Sequence, residues 1–315
     1  MPTILKHLET ILRDSAKVSI SLLKILIPAI IVVRLLDLIG AAELLASTLG
    51  APLELLGLPA IAGLIWATTI VTNIYAGLIV LFTFPEAWTL GQITTLGVLM
   101  LGAHNFIVEL SVAYKGRCRI LPMFLIRILG GYGLAAILSY IYADIPEMQT
   151  PVAWNWTPEA VDNSWSGWLS SQIEMLFWTQ VVILGLVAML HIAKITGFER
   201  LLEKLLKPVL RVIGIRENAL PMSLIGMTLG LAYGGGLLIR EAEKGTLAPR
   251  DIFASFALLG LCHSLIEDTL LISLTGAELS GILWARLAWA LLLIAIITRI
   301  LPRIPDAWLQ RHLVR

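Results

Sequence analysis

Two short clusters of ionisable residues interrupt otherwise apolar sequence: His104, Asn105 and Glu109, then His263, Ser264, Glu267 and Asp268. Imidazoles and carboxylates can exchange protons, hold a small cation or bind a polar solute. At bilayer depth an ionised carboxylate costs at least about 2.5–3.5 kcal/mol on insertion scales, so such groups face protein or water and mark an ion or substrate path. Structural pairing is the competing explanation, because Arg127 and Arg286 recur at the same place in each half and would neutralise the acids. His263 and Glu267, four residues apart, fit one helical face, and a histidine-plus-carboxylate metal site is one reading of that spacing. The chain has no HExxH, no CxxC and no third ligand at a diagnostic spacing, so no residue is assigned to a metal.

The clusters belong to a repeat. Leu101-Gly102-Ala103-His104-Asn105-Phe106-Ile107-Val108-Glu109 is echoed 159 positions later by Gly260-Leu261-Cys262-His263-Ser264-Leu265-Ile266-Glu267-Asp268, with His104 over His263 and Glu109 over Asp268. The echo extends upstream, where Ile39 to Leu45 matches Thr196 to Leu202, Gly57 matches Gly214 and Pro59 matches Pro221; downstream, Arg127 falls on Arg286. Correspondence over this length indicates an ancient duplication. Polar groups at one place in two apolar halves point to a single paired site.

Composition says what must position that site. With 58% hydrophobic and 14% charged residues the chain is an integral membrane protein. Apolar stretches of spanning length lie near 18–39, 60–83, 90–112, 120–143, 171–193, 219–239, 251–274 and 282–300. The net charge of +1 and the lack of a basic face argue against a nucleic-acid partner. Cys118 and Cys262 form no disulfide framework or zinc spacing. Gly234-Gly235-Gly236 lacks the lysine and the preceding strand of a phosphate loop, and no enzyme activity is expected. The first apolar run lacks a signal-peptide pattern and is expected to stay.

Basic residues bunch in four places: the N-terminus, Lys115 to Arg119, Lys194 to Arg216, and the tail from Arg299. All four are expected in the cytoplasm, with both termini inside and the acidic, Trp-rich loop 144–170 outside. Eight plain crossings would put two of the charged loops on the wrong sides. The conflict disappears if 60–83 and 219–246 are re-entrant hairpins, two arms of about ten residues each reaching roughly the midplane. Their expected turning points are Thr68 to Asn73 and Gly230 to Gly236. The expected architecture is therefore all-α: an inverted-topology repeat of about six crossing helices, two re-entrant hairpins and two amphipathic interfacial helices, 41–56 and 198–213. Residues 1–143 form the first repeat, 144–170 the outer loop and 171–315 the second repeat. Eight crossings in parallel repeats are the alternative.

Twin halves that each run amphipathic helix, Pro-led apolar hairpin and broken polar segment resemble the nucleoside-recognition or Gate domain family. Gly226-Met227-Thr228-Leu229-Gly230 and the segment Leu259 to Asp268 carry the likeness. That family includes the spore maturation proteins A and B, the membrane part of ferrous iron transporter B and, more distantly, the concentrative nucleoside transporters. The resemblance implies a carrier in which hairpin tips and unwound helices surround the ligand. On this chain those roles fall on Thr68, Thr72, Asn73, Tyr233, Gly234 and Gly235 at the tips, and on His104, Asn105, Glu109, His263, Ser264, Glu267 and Asp268 in the crossing segments. The expected function is secondary transport of a small polar solute, nucleoside-like or other, through the inner membrane. No cofactor is expected beyond a coupling H+ or Na+, and the expected partners are the solute, the lipid bilayer and further copies of the chain as a homo-oligomer. The alternatives are a divalent-metal permease, a non-transporting partner subunit and, least supported, a membrane metalloenzyme.

Overall fold

The computed structural model describes residues 2–84, 86–152, 154, 164–245 and 247–315. The chain folds as an all-α integral membrane protein: the described residues contain no strand, and two isolated bridges, Thr89 to Pro151 and Cys118 to Val314, tie loops together. Five segments are long and apolar enough to cross a bilayer: Leu5–Leu38, Leu90–Lys115, Ile120–Ala143, Trp165–Ile195 and Ser280–Arg303. A sixth path is split between two shorter helices, described below with its counterpart.

Helix α1 (Pro2–Leu38) runs antiparallel to α8 (Trp165–Ile195), since His7 meets His191 at one end and Arg34 lies over Trp165 and Trp168 at the other. Ser164 caps α8 by accepting from the Gly167 N–H, so the helix begins at Trp165. The outer loop read from sequence as 144–170 is thus shorter, with Trp165 and Trp168 in the first turn of α8. Large apolar side chains such as Ile173, Phe177 and Trp178 point away from the protein, as they must on a helix whose solvent is lipid.

Helices α3 (Ile61–Val71) and α4 (Ile74–Thr83) form a hairpin that leaves from the end it entered. At its start Gly57 accepts from Gln92 Nε2 at 2.8 Å, and at its finish the Phe82 ring meets Trp154 at 5.1 Å, both beside the start of α5 (Leu90–Gly102). The turn is Thr72-Asn73, where Asn73 caps α4 by accepting from the Ala76 N–H at 2.9 Å.

The second hairpin is α10 (Leu220–Glu243), two helical arms joined at Gly230, whose φ of 78° and ψ of 172° suit glycine alone. Its mouth is closed at the opposite end of the bundle, where Arg216 pairs with Asp251 and Arg250 donates to Ile304 O. The sequence expectation of a turn spread over Gly230 to Gly236 is corrected: the bend is complete at Gly230 and residues 231–243 are helical.

The amphipathic helices fall where expected, α2 (Ala41–Glu54) before the first hairpin and α9 (Phe198–Val212) before the second. Helix α9 buries Leu206 and Leu210 and leaves Phe198, Leu201 and Leu205 exposed among charged residues, the pattern of a helix lying at a headgroup layer. The Lys115 to Arg119 loop, the 213–216 turn and the C-terminal helix α14 (Asp306–His312) gather at one end of the bundle. Trp154 and Thr275 meet at the other.

Both halves then place a broken helix against a continuous one. In the first, α5 and α6 (Phe106–Lys115) lie against α7 (Ile120–Ala143). In the second, α11 (Pro249–Leu261) and α12 (Glu267–Ser273) lie against the π-helical turn Ser280–Ala285 and α13 (Arg286–Ile300). Gly102 and Gly131 let α5 and α7 touch backbone to backbone, since a Cβ on Gly102 would sit 2.8 Å from the Gly131 Cα.

Candidate functional site

The chemistry-bearing residues sit where the two broken helices are unwound. Helix α5 stops at Gly102 and α6 starts at Phe106; α11 stops at Leu261 and α12 starts at Glu267. Inside each gap one residue adopts the left-handed conformation at matched positions, Asn105 at φ 49° and Ser264 at φ 48°. Asparagine tolerates this region, whereas serine holds it at a cost of about 1–3 kcal/mol that the surrounding contacts must offset. The hairpins supply those contacts: Thr69 O accepts from the Asn105 N–H at 3.0 Å, and Met227 O accepts from the Leu265 N–H at 2.8 Å. Each break is therefore held by the tip region of its own hairpin.

The unwound turns bring the histidines together. His104 Nε2 lies 3.1 Å from His263 Nε2, and the residues are 159 positions apart. Trp289 Nε1 donates to Gly130 O at 2.9 Å across the same offset. A residue that touches its own repeat counterpart lies on the axis relating the halves, so both contacts mark a pseudo-two-fold axis. A cavity of about 10 Å³, room for roughly one water, lies along it between Gly102, Gly131, Leu261 and Arg286.

Each imidazole is anchored by its other nitrogen. His104 Nδ1 is 2.9 Å from Met100 O and His263 Nδ1 is 2.7 Å from Leu259 O, again at matched positions. A carbonyl can only accept, so both Nδ1 atoms carry hydrogen, and in the neutral rings both Nε2 atoms present bare lone pairs to each other. Glu109 Oε1 stands 3.1 Å from His104 Nε2 and 3.3 Å from His263 Nε2, while Asp268 Oδ2 is 3.6 and 3.8 Å from the same atoms. Four electron-pair donors thus converge on one buried point. Such a cluster holds together only around a shared proton or a cation.

The arginines complete the site and break its symmetry. Arg127 Nε donates to Gly102 O at 3.1 Å and Arg286 Nε to Leu261 O at 3.3 Å, each guanidinium capping the C-terminal end of a half-helix. Arg127 also pairs with Glu109 Oε2. Arg286 instead donates to His263 O at 2.9 Å. In consequence, among the described residues, Asp268 Oδ2 has no hydrogen-bond donor, and Arg286 Nη1 and Arg127 Nη2 are buried without an acceptor.

The chain is 25% identical over 285 residues to the uncharacterized membrane protein YvoD of Bacillus subtilis (strain 168). The match takes in 88% of this chain and 86% of that one. No family model and no solved structure matches the chain.

Of the residues expected from sequence, His104, Glu109, His263 and Asp268 meet in the cluster, and Asn105 and Ser264 shape the backbone that carries it. Glu267 opens α12, and among the described residues it is Asp268, not Glu267, that reaches the imidazoles. The helical-face pairing of His263 with Glu267 is corrected, because the chain between them is unwound. Thr72 Oγ1 donates to Thr68 O at 2.6 Å, so these two residues and Asn73 build the first hairpin turn. Tyr233, Gly234 and Gly235 lie in the second arm of α10, and the Tyr233 side chain and the surroundings of both glycines fall outside what is described. Sequence reading missed Thr69 and Met227, which act through backbone carbonyls, and Tyr75, whose ring lies within electrostatic reach of Glu267 and Asp268. Thr69 had a signal: Thr228, at the same offset of 159, makes the same bond to the carbonyl four residues back.

Proposed function

We propose that this protein is an alternating-access secondary transporter that carries a small cation through the centre formed by His104, His263, Glu109 and Asp268. The observation that carries the reading is the convergence of four donor atoms from both repeats on the pseudo-two-fold axis, the histidines from the unwound turns and the carboxylates from the half-helices that follow them. Half-helix ends and unwound turns concentrate partial charge where a continuous helix has none. The hairpins enter from opposite ends of the bundle and each bonds to one broken helix, so withdrawal of either tip would open the centre to one side only. This arrangement accords with the resemblance to the Gate domain family. A second reading, in which the cation drives a small polar solute, is favoured by the polar tip Thr72-Asn73 beside the centre.

Two-sided access tests the proposal. Ser264→Cys, in a Cys118→Ala/Cys262→Ala background, should react with an impermeant thiol reagent in both right-side-out and inside-out vesicles. The cation that occupies the centre should slow both reactions. A thiol that reacts from one face only, under every condition, removes the transporter reading.

A further inference from the structure

We propose that His104, His263, Glu109 and Asp268 form a four-coordinate site for a divalent transition-metal ion of the zinc or ferrous class, which is the cation carried. The inference rests on the transporter reading for its role as cargo but not for its chemistry. A tetrahedral ion holds nitrogen and oxygen ligands at about 2.0–2.2 Å, which sets ligand-to-ligand edges of about 3.3–3.6 Å. Five of the six edges among the donor atoms here are 3.1, 3.1, 3.3, 3.6 and 3.8 Å. The His104, His263 and Asp268 atoms lie within 4.8 Å of one another, and Glu109 Oε1 stands within the same range of both imidazole nitrogens, so the proposal takes it as the fourth ligand.

The outer contacts agree. A metal-bound histidine characteristically donates its second N–H to a carbonyl or carboxylate, fixing the tautomer that leaves Nε2 free. Both imidazoles do so, to Met100 O and Leu259 O. A ligating carboxylate is in turn held by a donor, and Arg127 holds Glu109 Oε2 while Oε1 faces the histidines. Asp268 Oδ2 has no hydrogen-bond donor among the described residues and stands 3.6 and 3.8 Å from the two imidazole Nε2 atoms.

The donor set selects the ion. Two imidazoles are poor partners for Na+, Mg2+ or Ca2+, which take oxygen ligands, and the absence of thiolate and thioether from the set disfavours Cu(I). Imidazole with carboxylate suits Zn2+, Fe2+, Mn2+, Co2+ and Ni2+; four-fold geometry favours Zn2+, and two histidines with a carboxylate also suit Fe2+.

Co2+ is the probe. Titrated into the chelator-treated full-length protein in detergent, it should bind at one ion per chain with the intense visible absorption of tetrahedral coordination, and Zn2+ should displace it. Asp268→Asn and His263→Gln, folded by their melting curves, should each lose affinity by at least the roughly 10–100-fold that removal of an outer-shell partner causes. Absent binding, octahedral spectra, or binding unchanged in both variants would overturn the proposal. Two-sided access at Ser264 together with absent metal binding would also overturn it, leaving a proton as the cation and the transporter reading intact.

Discussion

His104 and His263, equivalent residues of two repeats, face each other through their Nε2 atoms at 3.1 Å while their Nδ1 atoms are both spent on backbone carbonyls. Neutral rings in this arrangement repel. The fold therefore favours positive charge at its axis, and the surrounding carboxylates add to that preference.

The unequal roles of Glu109 and Asp268 should separate in stability. Glu109→Gln leaves the Arg127 guanidinium buried without its counter-charge, a loss of about 3–5 kcal/mol that would lower the thermal midpoint strongly. Asp268→Asn removes a carboxylate that makes no arginine ion pair among the described residues, so its midpoint in cation-free buffer should fall much less than that of Glu109→Gln. Differential scanning fluorimetry on the two variants decides it; equal losses would mean that the ion-pair asymmetry is not real.

Gly230→Ala should impair folding and transport together. Its φ of 78° with ψ of 172° is strained for any residue with a Cβ, by about 1–3 kcal/mol, and the new carbon would strike Ser264 Oγ. Adding Ser264→Ala should recover part of the loss, because it removes the collision but not the strain. No recovery would show that the two hairpin and helix breaks are not in contact.

Much of this architecture is legible in the sequence, and the reasons are physical. The offset of 159 exposed the paired site because duplication copies side chains, and the bunching of basic residues exposed the hairpins because charge cannot cross lipid cheaply. Finer placement was hidden. A run of glycines at 234–236 signalled a turn, yet within helix α10 the conformation reserved for glycine is at Gly230, where the backbone meets Ser264. Spacing of four suggested His263 with Glu267, a rule that holds only on a continuous helix. Thr69 and Met227 work through carbonyl groups, which every residue possesses, so Met227 carried no side-chain signal and Thr69 only its recurrence as Thr228.

The end at which the basic segments gather is predicted to face the cytoplasm. In the cysteine-depleted background, Lys115→Cys should resist an impermeant thiol reagent added to intact cells, and Glu147→Cys, exposed at the opposite end, should react. The reverse pattern would invert the assignment of both termini.

Flux through the reconstituted protein tests the central claim most directly. Proteoliposomes carrying internal indicators for divalent metal, Na+ and pH should take up a cation down its imposed gradient faster than protein-free vesicles, and Asp268→Asn at equal reconstitution should abolish the difference. If no cation moves faster through the wild-type protein than through bare lipid, the centre at His104 and His263 is not a transport site.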